Sequence, residues 1–294
     1  MIPPFKILNV ASVTDAISEL RHLGDDAKIY AGGTELLILL RHNLLQSKYL
    51  VNIKAIPDLS AIRRANGTIS IGASVTHRQL ETDPTIRGML PLLARAESQV
   101  ANIRVRSQGT LGGNLCFNDP HSDPATVLLV HDANVQIAGP NGTRQSPLDQ
   151  FLLGMYSTSL EPDELPMSVD VPLLPAEFGA AYLRIHRLQR PTLGVAAAVS
   201  LRGGSLGESR LAVGCVGPMA VRLTELEANL RGAAPADIHE AIQGSSSYLK
   251  QLLKPIDDLL GSAAYKLYIT GVLLERALQD AVQDAVCRQD QKND

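Results

Sequence analysis

Lys28-Ile29-Tyr30-Ala31-Gly32-Gly33-Thr34-Glu35-Leu36 carries a short strand-like run through a glycine pair into the apolar stretch Leu36 to Leu44. Strand, glycine turn and helix in that order set backbone N–H groups at a helix N-terminus, where aligned peptide dipoles favour an anion. Much later, Gly109-Thr110-Leu111-Gly112-Gly113-Asn114-Leu115 repeats the offer. Glycine takes positive φ at little cost and lets a ligand approach the main chain, so two such loops could hold one extended diphosphate by amides rather than by Lys or Arg. Taken alone, a glycine pair is more often an ordinary turn. No G-x-x-x-x-G-K-[ST] occurs, and no G-x-G-x-x-G opens a helix after a strand, which removes the P-loop and the Rossmann fingerprint and leaves a different kind of nucleotide site.

Around the first glycine pair the pattern is a small α/β unit. Lys6 to Leu8 reads as a strand, and a helix capped by Ser12 or Thr14 follows, with Ala16, Ile17, Leu20 and Leu23 on one face and Gly24 as its stop. Lys28 to Tyr30 and Tyr49 to Ile53 are the next strands, with a buried helix over Leu36 to Leu44 between them. From Pro57 the character changes: Thr68 to Ala73 alternates like a strand, Thr76 caps a helix, and Leu90 to Val100 forms another. Ser122-Asp123-Pro124 starts a helix through Leu129, with Asp and Pro in its first turn. Gly139-Pro140-Asn141-Gly142 supplies a hairpin turn. The remainder reads as three strands (Tyr182 to Leu188, Val195 to Leu201, Arg210 to Val216) and then helices at Thr224 to Leu230, Pro235 to Gln243 and Ser262 to Val286. Leu267, Val272, Leu274, Ala277, Leu278 and Val282 are spaced to face that sheet.

Composition bounds the function. A chain of 294 residues exceeds the usual domain of roughly 100–200 residues, so two units or a bipartite one are expected. Its net charge of −3, with mixed signs and no Lys/Arg run, leaves no basic field for nucleic acid. The longest apolar stretches, such as Val195 to Val199, fall far short of the roughly 20 residues of a membrane helix. Met1-Ile2-Pro3-Pro4-Phe5-Lys6 lacks the pattern of a signal peptide, so no membrane insertion and a cytoplasmic location are expected. Cys116, Cys215 and Cys287 are scattered without a C-x-x-C, which suggests no disulfide framework and no common zinc site. Three such thiols do not readily hold an iron–sulfur cluster, which takes four protein ligands.

The two glycine segments, Ser122-Asp123, the turn Leu160-Glu161-Pro162-Asp163-Glu164-Leu165, the segment Gly214-Cys215-Val216-Gly217-Pro218 and the late helix with Ala263-Ala264-Tyr265-Lys266 together carry a resemblance. They are similar, over nearly the whole chain, to the FAD-binding medium subunits of the molybdenum hydroxylases, the xanthine dehydrogenase and carbon monoxide dehydrogenase family. The resemblance implies an α+β protein: a bipartite FAD-binding domain of the p-cresol methylhydroxylase and vanillyl-alcohol oxidase type over 1–175, with lobes of about 1–56 and 57–175. A smaller α+β C-terminal domain follows over 176–288, with a three-stranded sheet and helices, and 289–294 is expected to fray. It implies FAD as the cofactor, with molybdopterin on a large partner subunit and two [2Fe–2S] clusters on a small one, in a dimer of heterotrimers. This chain would then pass electrons from the clusters to an external acceptor. No side chain is poised for covalent attachment, so the FAD is expected to be noncovalent. A stand-alone reductase of the same wider fold, resembling the enolpyruvyl-glucosamine reductases, is the alternative, and a scaffold that binds no cofactor is a second.

Site residues follow by the same resemblance. Lys28, Ile29, Tyr30, Ala31, Gly32, Gly33, Thr34, Glu35 and Leu36 would lie along the FAD, with Thr34 as an added hydroxyl donor. Glu35 would repel phosphates unless it serves a ribose hydroxyl or a helix-end amide. Ala101, Gly109, Thr110, Gly113 and Asn114 match positions around the flavin, and Asp123 matches an acidic residue that binds the adenosine-side ribose, with first-turn helix stabilisation as its other role. Leu165 packs on the cofactor or is a plain core residue. Arg184 stands where relatives usually carry Lys near the ring; its charge would stabilise a reduced anionic flavin, but its planar fork reaches differently. Arg190-Pro191-Thr192-Leu193 stands where many relatives have an aromatic residue after a basic pair. His77, His121 and His186 show no H-x-H or H-E-x-x-H pattern and read as surface or satisfied core residues. Cys116 reads as a small packing residue. No catalytic constellation and no metal site stand out.

Overall fold

Among the described residues, three sheets of three or more strands organise the chain, and the last is sandwiched between the first part of the protein and a long helix. The computed structural model describes residues 3–186 and 190–293. The first unit holds β1 (Lys6–Asn9), α1 (Val13–Leu23), β2 (Ala27–Tyr30), α2 (Leu36–Arg41) and β3 (Tyr49–Asn52), with the strands parallel in the order β1-β3-β2. Ser12 caps α1 by accepting the Asp15 amide at 3.0 Å, and Gly24 ends it at φ 53°. Ala16, Ile17 and Leu20 are buried on its inner face, as their spacing requires. The helix at Leu36 is shorter than expected and is not buried. Asn43, at φ 56°, breaks it, only Leu40 is buried within it, and Leu44 is 74% exposed.

The second unit is an antiparallel sheet with helices: β4 (Ile62–Ala65), β5 (Thr68–Gly72), α3 (His77–Thr82), α4 (Pro84–Met89), α5 (Pro91–Ser98), α6 (Ile103–Arg106), α7 (Leu111–Phe117), α8 (Pro124–Val130), β6 (Asn134–Gly139), β7 (Gly142–Pro147), α9 (Leu148–Phe151), the short pair β8 (Leu152–Gly154) and β9 (Ser157–Thr158), and β10 (Leu165–Pro172). Strand order is β4-β5-β10-β6-β7, so the last strand inserts between two earlier ones. Thr76 forms a full capping box with Gln79 on α3. The β6–β7 turn closes at Gly139 and Gly142 as the sequence indicates. The second glycine segment is not a loop. Thr110 caps it, accepting the Gly113 amide at 3.1 Å, and Leu111–Phe117 is helical.

The C-terminal unit comprises β11 (Gly179–His186), β12 (Pro191–Arg202), β13 (Ser205–Gly214), β14 (Val221–Arg222), α10 (Thr224–Leu230), α11 (Ile238–Gly244), α12 (Ser246–Leu253) and α13 (Ala263–Asn293). The three expected strands form one antiparallel sheet, with the two-residue β14 added at its edge. Leu188 of the first expected strand lies outside the described residues. β12 is buried from Pro191 to Ser200 because both faces are covered. Val195, Ala197 and Val199 pack with α13 residues Leu273, Leu274, Ala277 and Leu278, while Ala196, Ala212 and Tyr182 join the core of the second unit. Within α13, Val272 turns outward, contrary to expectation, and Ile269 and Leu273 fill the stripe instead. The helix also continues to Asn293 where fraying was expected; Gln289 donates to the Leu201 carbonyl at 3.1 Å. Asp132, just past α8, takes Arg210 at 2.9 Å and Arg222 at 2.5 Å, which ties the C-terminal sheet to the second unit.

Candidate functional site

The two glycine segments meet at a cleft. A Cβ on Gly32 would lie 2.4 Å from the Gln108 carbonyl oxygen and 2.8 Å from the Gly109 Cα, so the two main chains touch only because Gly32 lacks a side chain. Gly33 adopts φ +76°, and a Cβ there would meet the Tyr30 ring at 2.3 Å. That left-handed residue turns the chain from β2 into α2. The cleft has a volume of about 420 Å³ and is lined by Lys28, Ile29, Ala31 to Leu36, Ala101, Gly109, Thr110, Gly113, Asn114, Asp123 and Leu165. Among the sequence-predicted site residues, Tyr30 and Arg184 lie outside that lining. Tyr30 supports the loop from beneath, with the Lys54 ammonium 4.0 Å from its ring centroid.

The segments differ in what they offer a ligand. Among the described residues, the amides of Gly32, Gly33, Thr34, Glu35 and Leu36 donate to no protein acceptor; the first bonded amide is Leu37, to Gly33. Most amides of the second segment are already spent, Thr110 being the exception among the described residues. Leu111 donates to Val75, Gly112 to Ala73, Gly113 to the Thr110 hydroxyl and Asn114 to the Thr110 carbonyl. The expected symmetry of two amide cradles is therefore corrected: one loop supplies donors, and the other supplies a smooth wall and side chains. Asn114 accepts from Ser122 at 2.6 Å, which fixes its orientation beside the cleft. Ala101 sits on the same wall at φ 40°, a conformation that costs a non-glycine residue roughly 1–3 kcal/mol and gathers at ligand sites.

Charge around the cleft is arranged in pairs. Asp123 is nearly buried; one oxygen accepts from the Tyr182 hydroxyl and the other from Arg184 at 2.7 Å. Burial raises its carboxyl to about 6, opposed by Arg184 and Tyr182. It stands at the N-terminus of α8, but its side chain makes no cap hydrogen bond there. Arg184 also donates to the Gln99 carbonyl at 2.6 Å, so its charge faces Asp123. Glu35 caps nothing either; burial raises its carboxyl, and Arg190 opposes the rise from 3.9 Å. Arg190 reaches over from the C-terminal unit to Asp119 at 2.6 Å, and both line the cleft. Cys116 lines it too, and burial pushes its thiol to about 12, which suits packing rather than nucleophilic attack.

The histidines are more engaged than their sequence context shows. His121 binds the Pro191 carbonyl at 3.1 Å and Asp258 at 3.2 Å, and Asp258 takes the buried Lys266 at 2.6 Å. His77 pairs with Glu97 inside the second unit. Neither pairing has a local signal, because the partners lie far along the chain. Among the described residues no three metal-ligating side chains gather.

Comparison with known proteins gives matches along both parts. Residues 3–174 match the model described as "FAD binding domain in molybdopterin dehydrogenase", and 182–281 match "CO dehydrogenase flavoprotein C-terminal domain". The carbon monoxide dehydrogenase medium chain of Hydrogenophaga pseudoflava is 34% identical over 96% of this chain and 98% of its own length. A putative xanthine dehydrogenase FAD-binding subunit of Escherichia coli (strain K12) is 31% identical over 94% of this chain and 95% of its own. A solved structure of carbon monoxide dehydrogenase from Hydrogenophaga pseudoflava superposes with a TM-score of 0.92 at 35% identity, covering 97% of this chain and 99% of that one.

Proposed function

We propose, on the premise that this chain belongs to the family of FAD-binding domains in molybdopterin dehydrogenases, that it is the FAD-carrying electron-transfer subunit of a heterotrimeric molybdenum hydroxylase. The observation that carries the reading is the run of five amides from Gly32 to Leu36, unpaired in the protein and set where α2 begins, on the wall of a glycine-floored cleft. A diphosphate fits that donor set: its oxygens accept only, and amide dipoles at a helix start favour its charge.

FAD, when bound, supplies the electron transfer, and the protein supplies binding, orientation and exclusion of water. The Gly32 to Leu36 amides hold the diphosphate, with the Thr34 hydroxyl beside them. Asn114 offers its free amide edge, Leu165 gives an apolar surface, and Asp123, held by Tyr182 and Arg184, presents a fixed carboxylate. The contact is noncovalent. Residues 1–175 grip the cofactor between lobes of about 1–56 and 57–175, and 176–288 close the site through Arg190 and Pro191. Electrons arrive from [2Fe–2S] clusters on a small partner subunit, fed by a molybdopterin-binding large subunit, and leave to an external acceptor. The complex is a dimer of heterotrimers in the cytoplasm; among the described residues no helix is long and apolar enough to cross a membrane.

Size-exclusion of a native extract tests this. Three co-eluting polypeptides, with molybdenum, iron and acid-releasable FAD, are expected. A lone chain that oxidises a nicotinamide donor through its flavin would favour the stand-alone reductase instead.

A further inference from the structure

The buried pair His77–Glu97 stands at the wall of the cleft. His77 opens α3 and is 3% exposed; Glu97 lies in α5 and is 0% exposed; His77 Nδ1 and Glu97 Oε2 are 2.6 Å apart. A carboxylate only accepts, so Nδ1 carries the hydrogen and the ring is fixed in one orientation. Among the described residues Nε2 has no hydrogen-bond partner. The ring lines the cleft and lies against Gly109, where a Cβ would come within 3.0 Å of Cδ2 and 3.4 Å of Nε2. Gly109 is the residue on which Gly32 rests. One wall therefore holds the imidazole edge, a missing side chain and the start of the unpaired amide run.

The other oxygen of Glu97, Oε1, is buried and makes no hydrogen bond among the described residues, so the carboxylate is kept away from water with His77 as its one partner there. Such a group is costly to retain for packing alone. We infer that His77 is a cofactor-binding residue whose Nε2 donates to the diphosphate of FAD, and that Glu97 is a positioning residue that orients the ring. Donation from both nitrogens uses the imidazolium, which then stands between two anions. The inference rests on the FAD reading above and adds a side-chain cation to a site otherwise built of amides.

Two variants separate binding from structure. In His77→Asn the side-chain nitrogen stands where Nδ1 was, keeping Glu97 partnered but losing the cleft contact. In His77→Gln it reaches the Nε2 position. Each full-length, flavin-free protein is titrated with FAD and with riboflavin, which has no phosphate. The Asn variant is expected to bind FAD about tenfold more weakly, the scale of one hydrogen bond to a charged group, with riboflavin binding unchanged. The Gln variant is expected to stay within about threefold of the parent for FAD, as retention of that one bond implies. Parent-like FAD binding by the Asn variant overturns the inference, as does equal weakening for both ligands. A parent chain that takes up no FAD overturns the functional reading itself, and this inference with it.

Discussion

Replacing Gly33 by alanine puts a single methyl where the backbone and the packing both reject it. At φ +76° an L-residue pays roughly 1–2 kcal/mol for the left-handed conformation. The new Cβ would also sit 2.3 Å from Cε2 of Tyr30, whose ring the Lys54 ammonium also contacts. The flavin-free loop can escape by moving, but the amide cradle is then lost and binding must restore it. The backbone cost alone corresponds to a rise of about five- to thirtyfold in the FAD dissociation constant, and the ring collision adds to it. Gly113→Ala is the control: its Cβ would meet only the Thr110 capping hydroxyl, at 2.9 Å, and the amides it disturbs are not the donors. Quenching of flavin fluorescence on titration measures both. A Gly33→Ala protein that binds FAD within threefold of the parent, or a Gly113→Ala protein that is the worse of the two, would refute the reasoning.

Asp123→Ala removes the carboxylate paired with Arg184, whose side chain is 4% exposed, so stability should fall by about 3–5 kcal/mol as well as FAD retention; denaturant unfolding of the flavin-free chain checks this. His131 is buried, with Nδ1 on the Pro172 carbonyl at 2.9 Å, and burial lowers it from 6.5 to about 4. Its neutral form therefore stabilises the fold above about pH 6.5, and that contribution is lost as pH falls toward 4. Its full size is on the order of 3 kcal/mol. In His131→Gln, the thermal midpoint should depend less on pH over that window; an unchanged slope would remove His131 as the cause. Arg190→Ala leaves Asp119 and Glu35 facing the cleft without their cation, and FAD should then dissociate faster, more so at low salt, in stopped-flow displacement.

Local chemistry made much of the fold legible. Ser12 and Gly24 bracket α1, Gly139 to Gly142 turn the hairpin, and Gly33 marks the one position that must be left-handed between β2 and α2. These signals act within a few residues, where a missing Cβ or a capping hydroxyl decides the outcome. What stayed hidden depends on partners far along the chain. Gly112 reads as loop glycine, yet its role is to let α7 lie against Ala73, which a Cβ would meet at 2.6 Å. Nothing near Asp123 announces Tyr182, nor near Asp119 announces Arg190, because those pairs form only when the C-terminal sheet docks. The same holds for His77, whose partner Glu97 is supplied by another helix. The Leu36 to Leu44 stretch misled in the opposite direction: its apolar run suggested burial, while Asn43 stops the helix early.

Amide hydrogen exchange, resolved by residue, tests the central claim most directly. In the flavin-free chain the amides of Gly32 to Leu36 should exchange freely, and those of Leu111 to Asn114 should already be slow, since only the latter have protein acceptors. FAD should slow the first set and leave the second nearly as it was. Protection of Gly32 to Leu36 before FAD is added, or saturation with FAD that leaves their exchange unchanged, would contradict the assignment of the diphosphate to that loop.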